Sequence, residues 1–203
     1  MNQGATMSPQ VRWEGGVAPF AMSWQKLMMW VFLVTDALLF TGFLAAYGFV
    51  RLASGMWPDQ GDVFTMPLIG LMTFTLITSS ATMATAVGAA HRKDLKTAVR
   101  FVLFTALGGA AFLGMQVTEW TQLIQEGARL GSNPWGPTAF SSFFFMITGF
   151  HGTHVLIGVV ILLITATRAR SGKATGDGVE LAGLYWHFVD LVWVFIFTTF
   201  YLI

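Results

Sequence analysis

The sequence predicts an all-α protein, a single polytopic bundle of five transmembrane helices. Of its 203 residues, 55% are hydrophobic and only 10% are charged, whereas a soluble domain usually carries about 25% charged residues. Apolar runs that reach the roughly 20 residues needed to cross a bilayer recur five times. The linkers between these runs are too short for a soluble domain. We therefore expect a tail over residues 1–25 and one five-helix domain over residues 26–203.

Each predicted span ends where helix-breaking or polar residues begin. Gly and Pro residues interrupt 55–61 and 127–137, a basic cluster occupies 91–93, and a polar segment covers 171–178. The resulting spans are expected at about 26–51, 66–90, 98–125, 139–167 and 181–203. The tail is polar and Gly-rich and lacks the apolar run and cleavage pattern of a signal peptide, so we expect it to be flexible and cytoplasmic or interfacial.

The distribution of basic residues predicts the orientation of the bundle, because cytoplasmic loops carry an excess of Lys and Arg. Arg51 and Arg129 are the two basic residues on one side. The nine on the other side are Arg12, Lys26, Arg92, Lys93, Lys96, Arg100, Arg168, Arg170 and Lys173. This asymmetry predicts a cytoplasmic N-terminus and a periplasmic C-terminus. It also predicts anionic lipid head groups at the cytoplasmic helix ends, with Arg51 as an outer-leaflet contact.

Composition limits the chemistry of the chain. It has no cysteine, which excludes disulfides, thiolate metal sites and thiol catalysis. Its net charge of +1 gives no sign of nucleic-acid binding, and no such partner is expected. Small residues cluster at 108–111 (GGAA) in the third span, which predicts the close approach of another helix there.

The last apolar segment, Tyr185–Ile203, carries two ionisable residues, His187 and Asp190. An aspartate near the centre of a membrane helix costs on the order of 2.5–3.5 kcal/mol, so such a residue is expected to face protein and to pair. Residues three apart share a helical face, and Trp186 and Trp193, seven apart, lie on nearly the same face. The stripe is therefore predicted to meet another helix.

Three other spans also carry ionisable residues, namely Asp36, Glu119, His151 and His154. The two histidines of the fourth span lie near mid-bilayer, and we expect one of them to contact His187 and Asp190. Asp36 has only apolar neighbours one turn away on its own helix, so its partner must come from another helix. Glu119 is expected near water at the outer interface.

These polar residues allow three kinds of function. His151 and His154 share a face and, with His187, could bind metal or haem, although the two Glu-x-x-His motifs of a carboxylate di-metal bundle are missing. A relay of acids and histidines could carry protons or ions, but no central proline interrupts a span and no inverted repeat is visible. The third possibility, favoured for these histidines and Asp190, is structural pairing that fixes helix register.

Four motifs resemble one known family. They are WVFLVTDALLFTGFLAAY (Trp30–Tyr47), GMQVTEW (Gly114–Trp120), GFHGTHVLIG (Gly149–Gly158) and WHFVDLVW (Trp186–Trp193). Their order and identity resemble subunit III of haem–copper terminal oxidases in its five-helix bacterial form. Many cytochrome c oxidase members have glutamate at the position of Asp36, whereas quinol oxidase members often have aspartate, so the electron donor stays open.

The resemblance implies a multi-pass subunit of the bacterial inner membrane with no catalytic centre of its own. It would pack beside catalytic subunit I, together with subunit II, in a complex that reduces oxygen to water and pumps protons. Haem and copper are expected in those partner subunits, and none in this chain. The subunit would hold phospholipids in a cleft between its first two helices and the rest, and would support proton uptake and durability.

The resemblance also implies roles for particular residues. Asp36 is expected to be the buried, carbodiimide-reactive carboxylate. The polar and lipid-cleft constellation is expected to comprise Glu119, His151, His154, Trp186, His187, Asp190 and Trp193. The alternatives are a related accessory protein of a nitric oxide reductase and an autonomous membrane transporter.

Overall fold

Five long helices and one short one make up the bundle in a computed structural model that describes residues 23–171 and 176–203 and the backbone of two short strands. In chain order the elements are β1 (Arg12–Trp13), β2 (Gly16–Val17), α1 (Trp24–Ala53), α2 (Gln60–Val63), α3 (Met66–His91), α4 (Leu95–Gln125), α5 (Thr138–Arg170) and α6 (Gly176–Phe197). A π-helical turn, Thr198–Leu202, continues α6.

The predicted architecture of five membrane-spanning helices is confirmed. α1, α3, α4, α5 and α6 with its π-helical end are all long and apolar enough to cross a membrane, and a helix satisfies its backbone hydrogen bonds without water. The predicted bounds differ most at the start of α6. This helix begins at Gly176 instead of about 181, because a polar first turn that includes Asp177 precedes the apolar run.

The tail that we predicted to be flexible contains a short antiparallel ladder. Arg12 lies opposite Val17, and Trp13 lies opposite Gly16. The rest of the tail before Ser23, and Lys173 among the predicted cytoplasmic cations, lie outside the described residues.

Helix α6 lies at the centre of the bundle. It packs against α1, α3 and α5, while α4 joins α3 to α5. α1 lies at the edge, with α5 and α6 as its main neighbours. Where α1 and α6 begin and α3 ends, Glu180 accepts a hydrogen bond from Lys26 and lies 3.4 Å from Nε2 of His91. This ionic cluster joins three helix ends.

The turn between α3 and α4 is a tight hydrogen-bonded cap. Asp94 N–H donates to the carbonyl of Ala89 and Lys93 N–H to that of Ala90, both at 3.0 Å, which is the pattern of a Schellman motif. Lys93 takes the left-handed conformation, with φ 62°, which glycine usually provides in this motif. Asp94 then caps α4 by accepting a hydrogen bond from Thr97 N–H at 3.1 Å, and bonding to Thr97 lowers the pKa of the Asp94 carboxyl.

The segment between α1 and α3 folds back over one end of the bundle, which the sequence did not predict. It contains α2, and Trp57 beside it donates from its indole nitrogen to the hydroxyl of Tyr47 at 3.3 Å. The ring of Phe64 packs on that of Tyr201, with 4.5 Å between centroids. This segment therefore covers the π-helical end of α6.

The small residues of α4 lie where its neighbours approach most closely. A Cβ atom at Gly109 would stand 2.3 Å from the indole of Trp186 and 2.7 Å from Val159. One at Gly108 would stand 2.8 Å from the Cβ of Ser79. The close approach predicted from the GGAA cluster is therefore confirmed, and these two positions exclude any larger side chain without a shift of neighbours.

Candidate functional site

Asp36 of α1 and His154 of α5 meet inside the bundle. Both side chains are buried, with 8% of each residue exposed, and Oδ2 of Asp36 lies 3.3 Å from Nε2 of His154. The prediction that the partner of Asp36 comes from another helix is confirmed. The sequence had shown that the neighbours of Asp36 on its own helix are apolar, but it did not identify the partner.

The other ring nitrogen of His154 defines what this pair can do with a proton. Nδ1 lies 2.9 Å from the carbonyl oxygen of Phe150, and because a carbonyl only accepts, Nδ1 must carry a hydrogen. Nε2 is then a lone pair in the neutral ring and an N–H in the charged ring. The nitrogen that faces Asp36 is therefore the one whose hydrogen is not fixed by the backbone.

The contact between the two groups is close but poorly aligned. Oδ2 of Asp36 makes no hydrogen bond of acceptable geometry within the described residues, although 3.3 Å separates it from Nε2. The rings of Phe40 and Phe150 pack on the imidazole, with centroids at 5.6 and 4.7 Å. Tyr185 of α6 donates its hydroxyl to the backbone oxygen of His154 at 3.1 Å. The pair therefore lies in an aromatic shell at the junction of α1, α5 and α6.

His151 connects α5 to α6 through the backbone. It is fully buried, and its Nε2 lies 3.1 Å from the carbonyl oxygen of Val189, so Nε2 carries the hydrogen. Its Nδ1 has no partner among the described residues. The rings of Trp193 and Phe112 lie beside it, at 5.3 and 5.7 Å. His151 is therefore a packed inter-helix contact.

His187 and Asp190 meet a different helix from the one we predicted. Nδ1 of His187 lies 2.7 Å from the hydroxyl of Ser80 on α3, and Oδ1 of Asp190 is buried without a hydrogen-bond partner among the described residues. The predicted partners, His151 and His154, are instead engaged with Val189 and Asp36. The prediction of a polar inter-helix contact is confirmed, but the choice of the fourth span is wrong, because His187 and Asp190 lie on the α3 side of α6.

The two tryptophans of the last motif also donate to hydroxyls on α3. Trp186 donates to Ser79 at 3.1 Å and Trp193 to Thr73 at 3.0 Å. Both indoles are buried, and a buried indole N–H needs an acceptor. Sequence reasoning missed these hydroxyls. A signal was present, since Thr73 and Ser80 are seven residues apart and therefore lie on one face of α3.

Glu119 is buried, which corrects the prediction that it lies near water. It is 4% exposed, and Tyr201 donates its hydroxyl to Oε1 of Glu119 at 2.9 Å. The π-helical turn brings Tyr201 over this end of α4, and Phe64 and Phe144 pack on the Tyr201 ring. The prediction placed Glu119 correctly along the span, but it could not include the segment that folds over it.

The three histidines considered as metal or haem ligands do not form one cluster. His151, His154 and His187 are directed at the carbonyl of Val189, the carboxylate of Asp36 and the hydroxyl of Ser80. Within residues 23–171 and 176–203, no three His, Asp or Glu side chains come together as a ligand set.

The described part of the bundle has an apolar groove and a cationic groove on its outer surface. An apolar groove of about 650 Å³ runs between α1, α4 and α5 and includes Phe43, Trp120 and Arg129. A second groove, of about 300 Å³, carries Lys96, Arg100 and Arg170 where α4 begins and α5 ends. Among the described residues α3 packs along α4 and α6, so the first two spans do not stand apart from the rest as the expected cleft requires.

Comparison with known proteins gives consistent matches over nearly the whole chain. A family profile described as cytochrome c oxidase subunit III matches residues 7–203. Quinol oxidase subunit 3 of Bacillus spizizenii is 38% identical over 181 residues, covering 87% of this chain and 85% of the relative. Cytochrome c oxidase subunit 3 of Bacillus sp. (strain PS3) is 34% identical over 179 residues, covering 87% and 84%. Cytochrome bo(3) ubiquinol oxidase subunit 3 of Pseudomonas aeruginosa is 34% identical over 178 residues, covering 85% and 82%. The chain therefore belongs to the subunit III family of haem–copper terminal oxidases.

Proposed function

We propose that this chain is the supporting subunit III of a proton-pumping oxidase in the bacterial inner membrane, packed against catalytic subunit I with subunit II in the same complex. Haem and copper belong to those partners in this proposal, and this chain supplies no redox centre. The relatives include subunits of cytochrome c oxidases and of quinol oxidases, so the shared role does not depend on the electron donor.

The observation that carries the proposal is that the motif residues connect the helices to one another. Each family-like motif contributes a side chain that joins one span to another: Asp36 to His154, Gln116 to the carbonyl of Thr148, His151 to the carbonyl of Val189, and Trp193 to Thr73. The motifs therefore maintain one arrangement of helices. A supporting subunit needs such an arrangement in order to present fixed surfaces to its partners and to lipid.

The orientation in this proposal has the N-terminus in the cytoplasm and the C-terminus in the periplasm. The cationic groove of Lys96, Arg100 and Arg170 and the ionic cluster of Lys26, His91 and Glu180 then face the cytoplasm. Cytoplasmic excess of basic residues supports this choice.

A role in proton uptake is supported by the Asp36–His154 pair. The two side chains lie 3.3 Å apart inside the bundle, and acids and histidines within membrane spans commonly form proton relays. In our proposal this pair holds a proton close to the uptake surface of the catalytic subunit.

Lipid binding is supported by the two grooves. The cationic groove suits an anionic head group, and the apolar groove, lined largely by aromatic and aliphatic side chains with Arg129 at its edge, suits an acyl chain. We propose phospholipid in both. We also retain Arg51 as an outer-leaflet contact, although it already donates a hydrogen bond to the carbonyl of Ile203.

The proposal is tested by extraction in mild detergent, followed by native mass analysis and an optical spectrum. Co-purification with a larger haem-bearing chain is expected. Removal of this chain should leave oxygen reduction by the remaining complex, with weaker proton pumping and faster loss of activity during turnover. A chain that runs alone and moves a solute would make it a transporter, and co-purification with an enzyme that reduces nitric oxide would make it an accessory protein of that enzyme.

A further inference from the structure

Phe150 of α5 belongs both to the apolar groove and to the surroundings of the Asp36–His154 pair. Phe150 lines the groove and is only partly buried. Its ring also packs on the imidazole of His154, with 4.7 Å between centroids. Asp36 and His154 are themselves buried and are not among the residues that line the groove. One aromatic side chain therefore contacts the groove on the outside and the pair on the inside.

Phe150 contacts His154 through its backbone as well as through its ring. Its carbonyl oxygen accepts a hydrogen bond from Nδ1 of His154 at 2.9 Å. The Phe150 ring also packs on Phe40 and Phe43 of α1, with centroids at 5.2 and 5.7 Å. The residue thus lies between α1, which carries Asp36, and the imidazole that Asp36 faces. Its position affects how the two side chains meet.

The contact between Asp36 and His154 is sensitive to small displacements. Oδ2 of Asp36 lies 3.3 Å from Nε2 of His154, just beyond the roughly 2.7–3.2 Å that is usual for a hydrogen bond between nitrogen and oxygen. Within the described residues Oδ2 makes no hydrogen bond of acceptable geometry. A small movement of the imidazole is therefore enough to align the two groups or to separate them further.

The apolar groove has the length and the charge that suit a phospholipid. It extends from Arg129, beyond the end of α4, to Phe150, twelve residues after the start of α5 at Thr138. At 1.5 Å per residue, Phe150 lies roughly 18 Å below that start, at the depth of an acyl chain. Arg129 forms no ion pair among the described residues, and a basic residue at a helix end suits a lipid phosphate.

We propose that an acyl chain of an anionic phospholipid in the apolar groove packs against Phe150, and that Phe150, as a positioning residue, sets the alignment of His154 with Asp36. Occupation of the groove and the state of the buried pair are thereby coupled. The inference rests on the proposed function, which places lipid in this groove and gives the pair its role, and it adds the residue that connects them.

Nuclear magnetic resonance of the histidine rings tests the coupling. The chain has four histidines, and the ¹⁵N signals of His154 are those that His154→Gln removes. Phosphatidylglycerol is titrated into the full chain in detergent. The His154 signals are expected to shift as lipid is added, whereas those of His151, whose ring packs on Phe112 and Trp193, should stay. His154 signals that do not respond to lipid would overturn the proposal.

Substitutions of two groove residues test the role of Phe150. Phe150→Leu keeps an apolar side chain but loses the ring, so the lipid-dependent shift of His154 should be lost. Phe150→Tyr keeps the ring and should retain the shift. Phe43→Leu is the matched control, because Phe43 also lines the groove and is partly buried but does not pack on His154. A shift that survives Phe150→Leu, or that Phe43→Leu abolishes equally, would refute this role.

A second pair of substitutions locates the lipid. Arg129→Gln should raise the phosphatidylglycerol concentration at half-maximal shift about fivefold, the contribution of one basic residue near a membrane surface. Arg170→Gln should leave that concentration unchanged, because Arg170 lines the cationic groove. Equal effects of the two substitutions would place the lipid outside the apolar groove and overturn the proposal.

Co-purification separates this inference from the proposed function. If the parent chain never co-purifies with a haem-bearing subunit, the proposed function fails, whatever the His154 signals do. If it co-purifies but the His154 signals ignore lipid, only this inference fails.

Discussion

At the scale of single residues, several polar side chains of this bundle bond to partners on other spans. Trp186 is the most closely packed of these side chains. Its indole donates to Ser79 and lies between Gly109 of α4 and Gly158 of α5. Four helices therefore meet around one side chain. Such a site tolerates neither added volume nor loss of the acceptor.

Gly109→Ala is expected to destabilise the bundle by about 1–3 kcal/mol, the usual effect of overpacking a core. The new Cβ would stand 2.3 Å from the Trp186 indole, so either the indole or α4 must move. Gly114→Ala on the same helix is the control, because no atom lies within 4 Å of its new Cβ. Unfolding in increasing SDS, followed by tryptophan fluorescence, measures both variants. Equal unfolding midpoints for the two variants would contradict the tight packing of Gly109 against Trp186.

Asp36 is expected to be the carboxyl that a lipid-soluble carbodiimide modifies. The reagent adds to a protonated carboxyl, which is the form that burial in an apolar environment favours, and Asp36 is buried in an aromatic shell. Asp36 also lies on the peripheral helix α1, which reagent in the lipid reaches first. Labelling should impair proton pumping more than oxygen reduction.

Peptide mass analysis after labelling locates the modified residue. Asp36→Asn should abolish incorporation, and Asp190→Asn, the matched control, should leave it unchanged. Labelling of the Asp36→Asn variant as strong as that of the parent chain would refute the assignment. Failure of that variant to assemble would identify Asp36 as a structural anchor.

At the scale of elements, helix positions were predictable and helix partners were not. The bilayer requires a run of about 20 apolar residues, and the spans therefore stand out in the sequence. Partner choice depends on the rotation of each helix about its axis. His187 and Asp190 share a face, but only the packing shows that this face meets Ser80 instead of His151.

Hydroxyls explain most of what was missed. Thr73, Ser79 and Ser80 are common residues in membrane helices and usually bond to their own backbone, so the seven-residue spacing of Thr73 and Ser80 does not by itself identify the acceptors for Trp193 and Trp186. Similarly, the burial of Glu119 depends on a loop and a π-helical turn, whose course no periodic pattern predicts.

Lys93→Gly is expected to stabilise the α3–α4 turn by up to about 1 kcal/mol. The left-handed conformation is unfavourable for residues with a Cβ, and the relief exceeds the extra freedom that glycine gains in the unfolded chain. Lys93→Ala loses the same charge but keeps the Cβ, so the difference between the two variants isolates the backbone effect. The midpoint of unfolding in SDS is the measurement. A lower midpoint for the Gly variant than for the Ala variant would refute the expectation.

At the scale of the whole molecule, the surface divides into regions that suit different neighbours. The cationic groove lies at one membrane face, and the apolar groove lies between α1, α4 and α5. Apolar runs predicted the five spans, motif order predicted the family, and charge distribution predicted the cationic end. They did not predict the grooves, because a groove depends on which helices are neighbours.

Arg170→Gln is expected to weaken binding of an anionic phospholipid about fivefold, since one basic residue near a membrane surface contributes about 1 kcal/mol. Arg168→Gln is the matched control, because Arg168 is on the same exposed end of α5 but does not line the groove. Native mass spectrometry with added phosphatidylglycerol counts the bound lipids. Equal losses in the two variants would show general surface attraction instead of a site in the groove.

The peripheral position of α1 has a consequence for how the protein is made. Its main neighbours are α5 and α6, which leave the ribosome after α1, α3 and α4, and Asp36 meets its partner only when His154 of α5 enters the membrane. At the usual speed of synthesis this delay is on the order of ten seconds. During that time α1 is in the membrane without its packing partners, while α3 and α4 can already form their hairpin. Helix α1 is therefore synthesised before the other described spans but is among the last of them to take its place, and a chaperone or insertase that shields a solitary helix would act on it.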